Sequence, residues 1–278
     1  MFCDKKSIII TGATGFVGSH VTRYLVSKGH NIVALVRDIN KAQALTRLDG
    51  AKLIRFDLSN RNEDMSIFDN AFLIHCAWDD VRNTQSEKHI ENYFMDHYLF
   101  LKKAIEQGVK KIVVTGSCYE YGLQYGAVCA NTSTKPNTPY ALAKDFLHKS
   151  LRVLQNQLSF DLIWARLFYM YGEGQDDKAI IPLFDKALEN NDSVFNMSFG
   201  EQLFDYLSVE TVAERIGSLV VTRNDGIFNI CSGNPISLRR LLELRMAEKN
   251  KKIDLNLGYY PYRLQDSIAI WGADPFVA

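Results

Sequence analysis

The chain is predicted to fold as an α/β protein, a doubly wound parallel sheet followed by a smaller C-terminal lobe. Three observations predict it. Apolar runs of strand length alternate with helical patterns up to Gly172. The segment Thr11-Gly-Ala-Thr-Gly-Phe-Val-Gly18 joins the first such run to the first helix. Beyond Gly172 the regular strand–helix rhythm is lost.

The elements follow in order. Ile8–Ile10 reads as a buried strand, and Phe16–Ser27 as a helix stopped by Lys28-Gly29. Strands are expected at Asn31–Val36, Lys52–Phe56, Ala71–Ala77, Lys111–Thr115 and Asp161–Ala165, that at Lys111–Thr115, the fifth of the chain, entered from a long helix ending near Gly108. Helices between the runs require parallel strands with crossover connections, and ligands then bind beyond the strands' carboxyl ends. After Gly172 come a helical stretch at Ile180–Glu189, short strand-like pieces near Val194 and Tyr206, a helix at Val209–Val221 and one more strand at Ile227–Cys231. The expected division is residues 1–172 for the larger domain and 173–278 for a lobe over the substrate, with strands free to cross between them.

The chain has 278 residues, enough for a substantial core, and 47% of them are hydrophobic. Formal net charge is zero, which argues against a general nucleic-acid or acidic-membrane surface. No run approaches the roughly 20 apolar residues of a membrane helix. Five scattered cysteines without a Cys-x-x-Cys pair suggest free thiols in a reducing compartment, so a cytoplasmic location is expected. The six histidines show no metal-ligand spacing, and no metal is expected.

In the glycine loop Gly12 permits a tight turn, Gly15 admits a pyrophosphate to the backbone, and Gly18 lets the helix pack on the sheet. The amides and dipole at the helix start then favour negative charge, with Thr14, Phe16 and Val17 beside it. Strand, loop and helix in this order point to a Rossmann-type dinucleotide site. The second strand ends at Arg37-Asp38. Arginine facing the adenine ribose suits a 2′-phosphate and hence NADP, the reading the charge favours; aspartate there suits NAD. Asp57, closing the third strand, is placed for the adenine amino group or for a helix cap.

Pro139-Tyr-Ala-Leu-Ala-Lys144 sets a phenol and an ammonium four residues apart on one helix face. Tyrosine titrates near 10, and bringing it near neutrality takes about 4 kcal/mol. Lys144 and an oxidised nicotinamide favour the phenolate. In reduction Tyr140 would give a proton to a carbonyl oxygen, and Lys144 would hold the nicotinamide ribose. Ser117, beyond the fifth strand, is placed to hydrogen-bond that oxygen. Trp78 leaves the fourth strand where substrate should sit and is a candidate contact.

These residues resemble the extended short-chain dehydrogenase/reductases, in the branch of NAD(P)-dependent sugar-nucleotide epimerases, dehydratases and reductases. Gly12, Gly15 and Gly18 fit its cofactor loop, Asp57-Leu58 its adenine-side motif, His75-Cys-Ala77 its fourth-strand segment, and Ser117, Tyr140 and Lys144 its catalytic set. Arg166–Gly172, Asp205–Glu210 and Asn229–Gly233 are similar to its substrate-side segments. The resemblance implies a nucleotide-sugar substrate and a homodimer through the long helix and the Tyr140 helix. Departures are Tyr169 where the family often has asparagine and Phe204 where it often has arginine. Diphosphate contacts are then expected from elsewhere, with Arg263 the candidate. The family's 4,6-dehydratases place an Asp-Glu pair directly after the hydroxyl residue; here Cys118 and Tyr119 stand there, with Glu120 displaced. The expected activity is therefore NADP-dependent reduction of a nucleotide-linked 4-keto-6-deoxy hexose for polysaccharide biosynthesis, with an NAD-dependent 4-epimerase as the alternative. Cys118 is read either as a substrate-side thiol or as a buried structural one.

Overall fold

Runs buried along their whole length must be covered on both faces, and in a parallel sheet they are. The structure, a computed structural model, describes residues 6–264 and 266–276; Cys3 lies outside them. In order the elements are β1 (Ile8–Thr11), α1 (Phe16–Ser27), β2 (Ile32–Val36), α2 (Ile39–Gln43), β3 (Lys52–Arg55), β4 (Phe72–His75), α3 (Phe94–Glu106), β5 (Lys111–Ser117), β6 (Gly126–Val128), α4 (Pro139–Leu154), β7 (Asp161–Leu167), β8 (Tyr169–Tyr171), α5 (Ile180–Asn190), β9 (Val194–Asn196), β10 (Leu203–Phe204), β11 (Tyr206–Ser208), α6 (Val209–Thr222), β12 (Gly226–Ile230), β13 (Ile236–Ser237), α7 (Leu238–Glu248), β14 (Asp254–Asn256) and β15 (Ala269–Gly272). Seven strands form one sheet in the order β12-β7-β5-β4-β1-β2-β3, every neighbour parallel.

One face is closed by α1 and α6, whose Val21, Leu25, Val212 and Ile216 pack with Ile8, Ile10 and Val113. The other is closed by α3 and α4 through Phe100, Leu101, Leu147 and Leu151 against Leu73, Ile112 and Trp164. Each such buried side chain contributes roughly 1.5–3 kcal/mol relative to exposure. The strand β5 runs two residues further than its apolar pattern, because Gly116 and Ser117 pair with Arg166 and Leu167. Residues 226–230, far along the chain, add the edge strand β12 beside β7.

The lobe is assembled from distant segments. Its four-stranded sheet has the order β13-β10-β15-β6. A second cluster joins Phe184 and Leu188 of α5 to Leu242 of α7 and Met197. Buried polar side chains stitch lobe to sheet. Asn229 of β12 donates to the Val128 carbonyl (3.1 Å) and Asp274 (2.9 Å) and accepts from the Tyr121 hydroxyl (2.7 Å). Asp205 accepts the backbone N–H groups of Ser232 (2.5 Å) and Gly233 (2.8 Å). Among the described residues no helix is long and apolar enough to cross a membrane.

Candidate active site

A cleft of about 1400 Å³ opens between the sheet's carboxyl edge and the lobe. Phe16, Arg82, Thr84, Tyr119, Tyr169 and Arg263 are among the residues that line it. The glycine loop forms one rim. Gly12 has φ +67°, and a Cβ there would lie 2.6 Å from the Ala77 nitrogen; a Cβ on Gly18 would run into the Gly12 carbonyl oxygen. Gly15 caps α1 without any side-chain hydrogen bond, so the first-turn amides remain open to an anion. This loop fits a dinucleotide pyrophosphate. Thr14 is exposed, and Val17 leans on the apolar cluster under α1 and α6. Ala77, whose N–H lies 3.4 Å from the Thr11 hydroxyl, closes against Gly12, and Leu58 packs on the apolar cluster under α3 and α4.

At the carboxyl ends of β2 and β3 Arg37, Arg55, Phe56, Asp57, Asn60 and Glu63 frame a depression of about 400 Å³. Asp38 is spent on capping α2 through the Lys41 N–H (3.1 Å). Arg37 is left exposed, 3.2 Å from Asp79. The Asp57 carboxylate accepts from the Ser59 hydroxyl and N–H, which hold its pKa below the ordinary value.

Thr138 caps α4 by accepting from the Ala141 N–H, and Pro139 opens the helix, so Tyr140 and Lys144 share its first turns. Thr84 lines the cleft, and its carbonyl accepts the Tyr140 backbone N–H at 3.1 Å; the Tyr119 ring lies 6.4 Å from the Tyr140 ring. Burial pushes the Tyr140 phenol up, the Glu120 carboxylate adds to the rise, and hydrogen bonding by Ser117 opposes it. Tyr140 therefore carries its proton. Lys144 is buried, donates to the Thr115 carbonyl at 2.8 Å, and has its Nζ 4.0 Å from the centre of the Trp78 ring. Burial pulls its pKa down to about 7, against the pull of Glu120 and Cys76.

Ser117 ends β5 and caps the next turn, Cys118–Tyr121. Glu120 turns back beneath it. The carboxylate accepts from the Ser117 N–H (2.7 Å), Trp164 Nε1 (3.0 Å) and Arg166 Nε (2.8 Å) and has no solvent exposure. Gly116 is needed because a side chain there would overlap the Trp164 indole and the Glu120 carboxylate. Arg166 thus holds Glu120 and also donates to the Ala130 carbonyl (2.9 Å). Sequence spacing gives no sign of this network, since Trp164 and Arg166 come from another strand.

The structure sets the Ser117 hydroxyl against Tyr140, carries Lys144 one turn further along α4 on the Thr115 carbonyl, and places Tyr169 and Arg263 on the cleft wall. Tyr169 and Phe204, the two departures from the family pattern, stack on each other at 4.3 Å between ring centres, so they form one aromatic wall. Trp78 and Cys118 are not among the residues that line the cleft, and neither are Ser117, Tyr140 and Lys144, which lie behind Thr84 and Tyr119. The Trp78 ring turns inward on Lys144 and His97, and Cys118 is buried with Tyr121, Phe168 and Cys231, its thiol pushed up by that burial.

A parallel sheet with an open glycine loop and a Ser–Tyr–Lys cluster at its carboxyl edge defines an NAD(P)-dependent enzyme of the extended short-chain dehydrogenase/reductase type. The chain belongs to the NAD dependent epimerase/dehydratase family, whose sequence model matches residues 8–231. It is 34% identical, over 96% of its length and 99% of the relative's, to the dTDP-6-deoxy-L-talose 4-dehydrogenase (NAD(+)) of Aggregatibacter actinomycetemcomitans. It is 27% identical, over 91% of its length and 84% of the relative's, to the dTDP-4-dehydro-6-deoxyglucose reductase of Escherichia coli. Its fold superposes with a TM-score of 0.84 on the UDP-N-acetylglucosamine 4-epimerase of Methanobrevibacter ruminantium M1, at 23% identity and covering 96% of this chain and 89% of that one.

Proposed function

We propose that this chain reduces the C4 carbonyl of a nucleotide-linked 4-keto-6-deoxy hexose with NADPH, in the cytoplasm, giving a deoxysugar precursor for surface polysaccharide. One observation carries the choice within the family: the acid nearest Ser117 is Glu120, and its carboxylate has no solvent exposure and is taken up by Trp164, Arg166 and the Ser117 N–H. An acid so enclosed is unavailable to expel a hydroxyl, which speaks against dehydration and for hydride chemistry at C4, reduction in the first reading and epimerisation in the second. Both curated relatives described above are named for oxidation or reduction at position 4 of a deoxysugar, in support.

In this reading Ser117 aligns the carbonyl oxygen and Tyr140 gives it a proton. Lys144, as a cation, offsets the charge left on the phenolate and holds the cofactor ribose. The glycine loop would hold the pyrophosphate of the cofactor, whose reduced nicotinamide would supply the hydride to the carbonyl carbon. Arg263 takes the diphosphate, and Tyr169 offers the sugar an aromatic face. Arg37 and Arg55 favour a 2′-phosphate; the relative named for NAD(+) supports NAD as the second reading of the cofactor. The active form is a homodimer through α3 and α4.

The test mixes pure protein and NADPH, or NADH, with 4-keto-6-deoxy hexoses carried on deoxythymidine, uridine and cytidine diphosphates. Loss of reduced-nicotinamide absorbance with at least one is expected, and no loss with any overturns the reading. A 4-epimerase, the activity named for the superposed structure, would instead purify with its cofactor and interconvert sugars without net nicotinamide turnover.

A further inference from the structure

Lys144 carries three ammonium hydrogens into a buried site where the Thr115 carbonyl is its hydrogen-bond acceptor. The Trp78 ring face, 4.0 Å from Nζ, is its other close partner. That ring is itself held. Its Nε1–H donates to His89 Nδ1 at 3.1 Å, and His89 Nε2 lies 3.0 Å from the Asn83 carbonyl oxygen. Because Nδ1 accepts from the indole, Nε2 is the nitrogen that donates to the Asn83 carbonyl, and the two bonds fix the ring. His97 stacks parallel to the indole at 4.4 Å, and its Nδ1 lies 2.9 Å from His75 Nε2. The neighbouring residue of the same loop, Thr84, accepts the Tyr140 backbone N–H.

We propose that Trp78 is a positioning residue for Lys144: its ring face is the second partner of the ammonium, and His89, anchored on Asn83, sets the angle of that ring. This rests on the reading of Tyr140 and Lys144 as the proton-handling pair. One loop then aligns both members, Tyr140 through Thr84 and Lys144 through Asn83, His89 and Trp78.

A π face favours the charged form of a buried lysine. The titratable groups around Lys144 are Glu120 and Cys76, which act on its pKa, His75 and His97, whose pKa values burial and the lysine's charge depress, and Tyr140 one turn away. Burial holds Lys144 near pH 7, so removing the ring's support moves its titration to lower pH.

The experiment follows the ε-carbon signal of Lys144 against pH in the whole protein with ¹³C-labelled lysine, assigned by its loss in Lys144→Gln. In Trp78→Leu the midpoint should fall by about one pH unit, and the alkaline limb of the turnover rate should move with it. Trp78→Phe should recover most of the wild-type midpoint. His89→Gln, whose amide can accept from the indole and donate to Asn83, should also stay near wild type, whereas His89→Leu should follow Trp78→Leu. His89→Leu also tests the contact if Trp78→Leu fails to fold. A wild-type midpoint in both leucine variants, or an equal fall in Trp78→Phe and Trp78→Leu, overturns the proposal. The midpoint is read without turnover. A moved midpoint together with wild-type turnover in Lys144→Gln would therefore sink the catalytic reading and leave this one standing.

Discussion

Tyr140 holds its proton because burial and a nearby carboxylate both disfavour the phenolate, and Lys144 is a cation only as long as its enclosed site supports one. Removing the hydroxyl alone should separate chemistry from binding. Tyr140→Phe is expected to lower kcat by about 10²–10⁴-fold while cofactor affinity, read by fluorescence titration, stays near wild type. Wild-type turnover would show that another group is the proton donor. The placement of Gly12, Gly15 and Gly18 in the turn before α1, and of Tyr140 and Lys144 one turn apart on α4, was legible from spacing because local geometry dictates position within such a unit. Trp78 was not. Its side chain can face cleft or core, and the choice belongs to His89, His97 and Lys144, which spacing does not place.

The turn Cys118–Tyr121 is fastened to β7 by the enclosed pair Glu120 and Arg166. Breaking such a pair from one side leaves an uncompensated charge, so Arg166→Leu should cost about 3–5 kcal/mol in urea unfolding. The sign of its pH dependence follows from Glu120. Burial already raises that carboxyl above its ordinary value, and losing Arg166 raises it further. A raised folded-state pKa gives stability below the unfolded value and loses it as pH rises through the folded one. The deficit should therefore widen from acidic to neutral pH, and a deficit independent of pH would contradict the account. The long strands of the main sheet were legible because each carries an apolar run. The lobe's strands were harder: β10 and β13 have two residues each, too few for any period, and form only because remote segments pair.

At the scale of the molecule, α3 and α4 cover one face of the sheet yet leave Met95, Leu99, Phe146 and Val153 exposed. A second copy packed on these helices would cover them, as the proposed homodimer requires. Sedimentation velocity should report a dimer for the wild type and a monomer for Phe146→Asp; a wild-type monomer would remove the proposal. The buried amide of Asn229 bears on how the molecule moves. A jaw-like swing of the lobe would strip that one side chain of Val128, Asp274 and Tyr121 together, with no water to replace them. That shared cost ties the lobe to the sheet through a single amide.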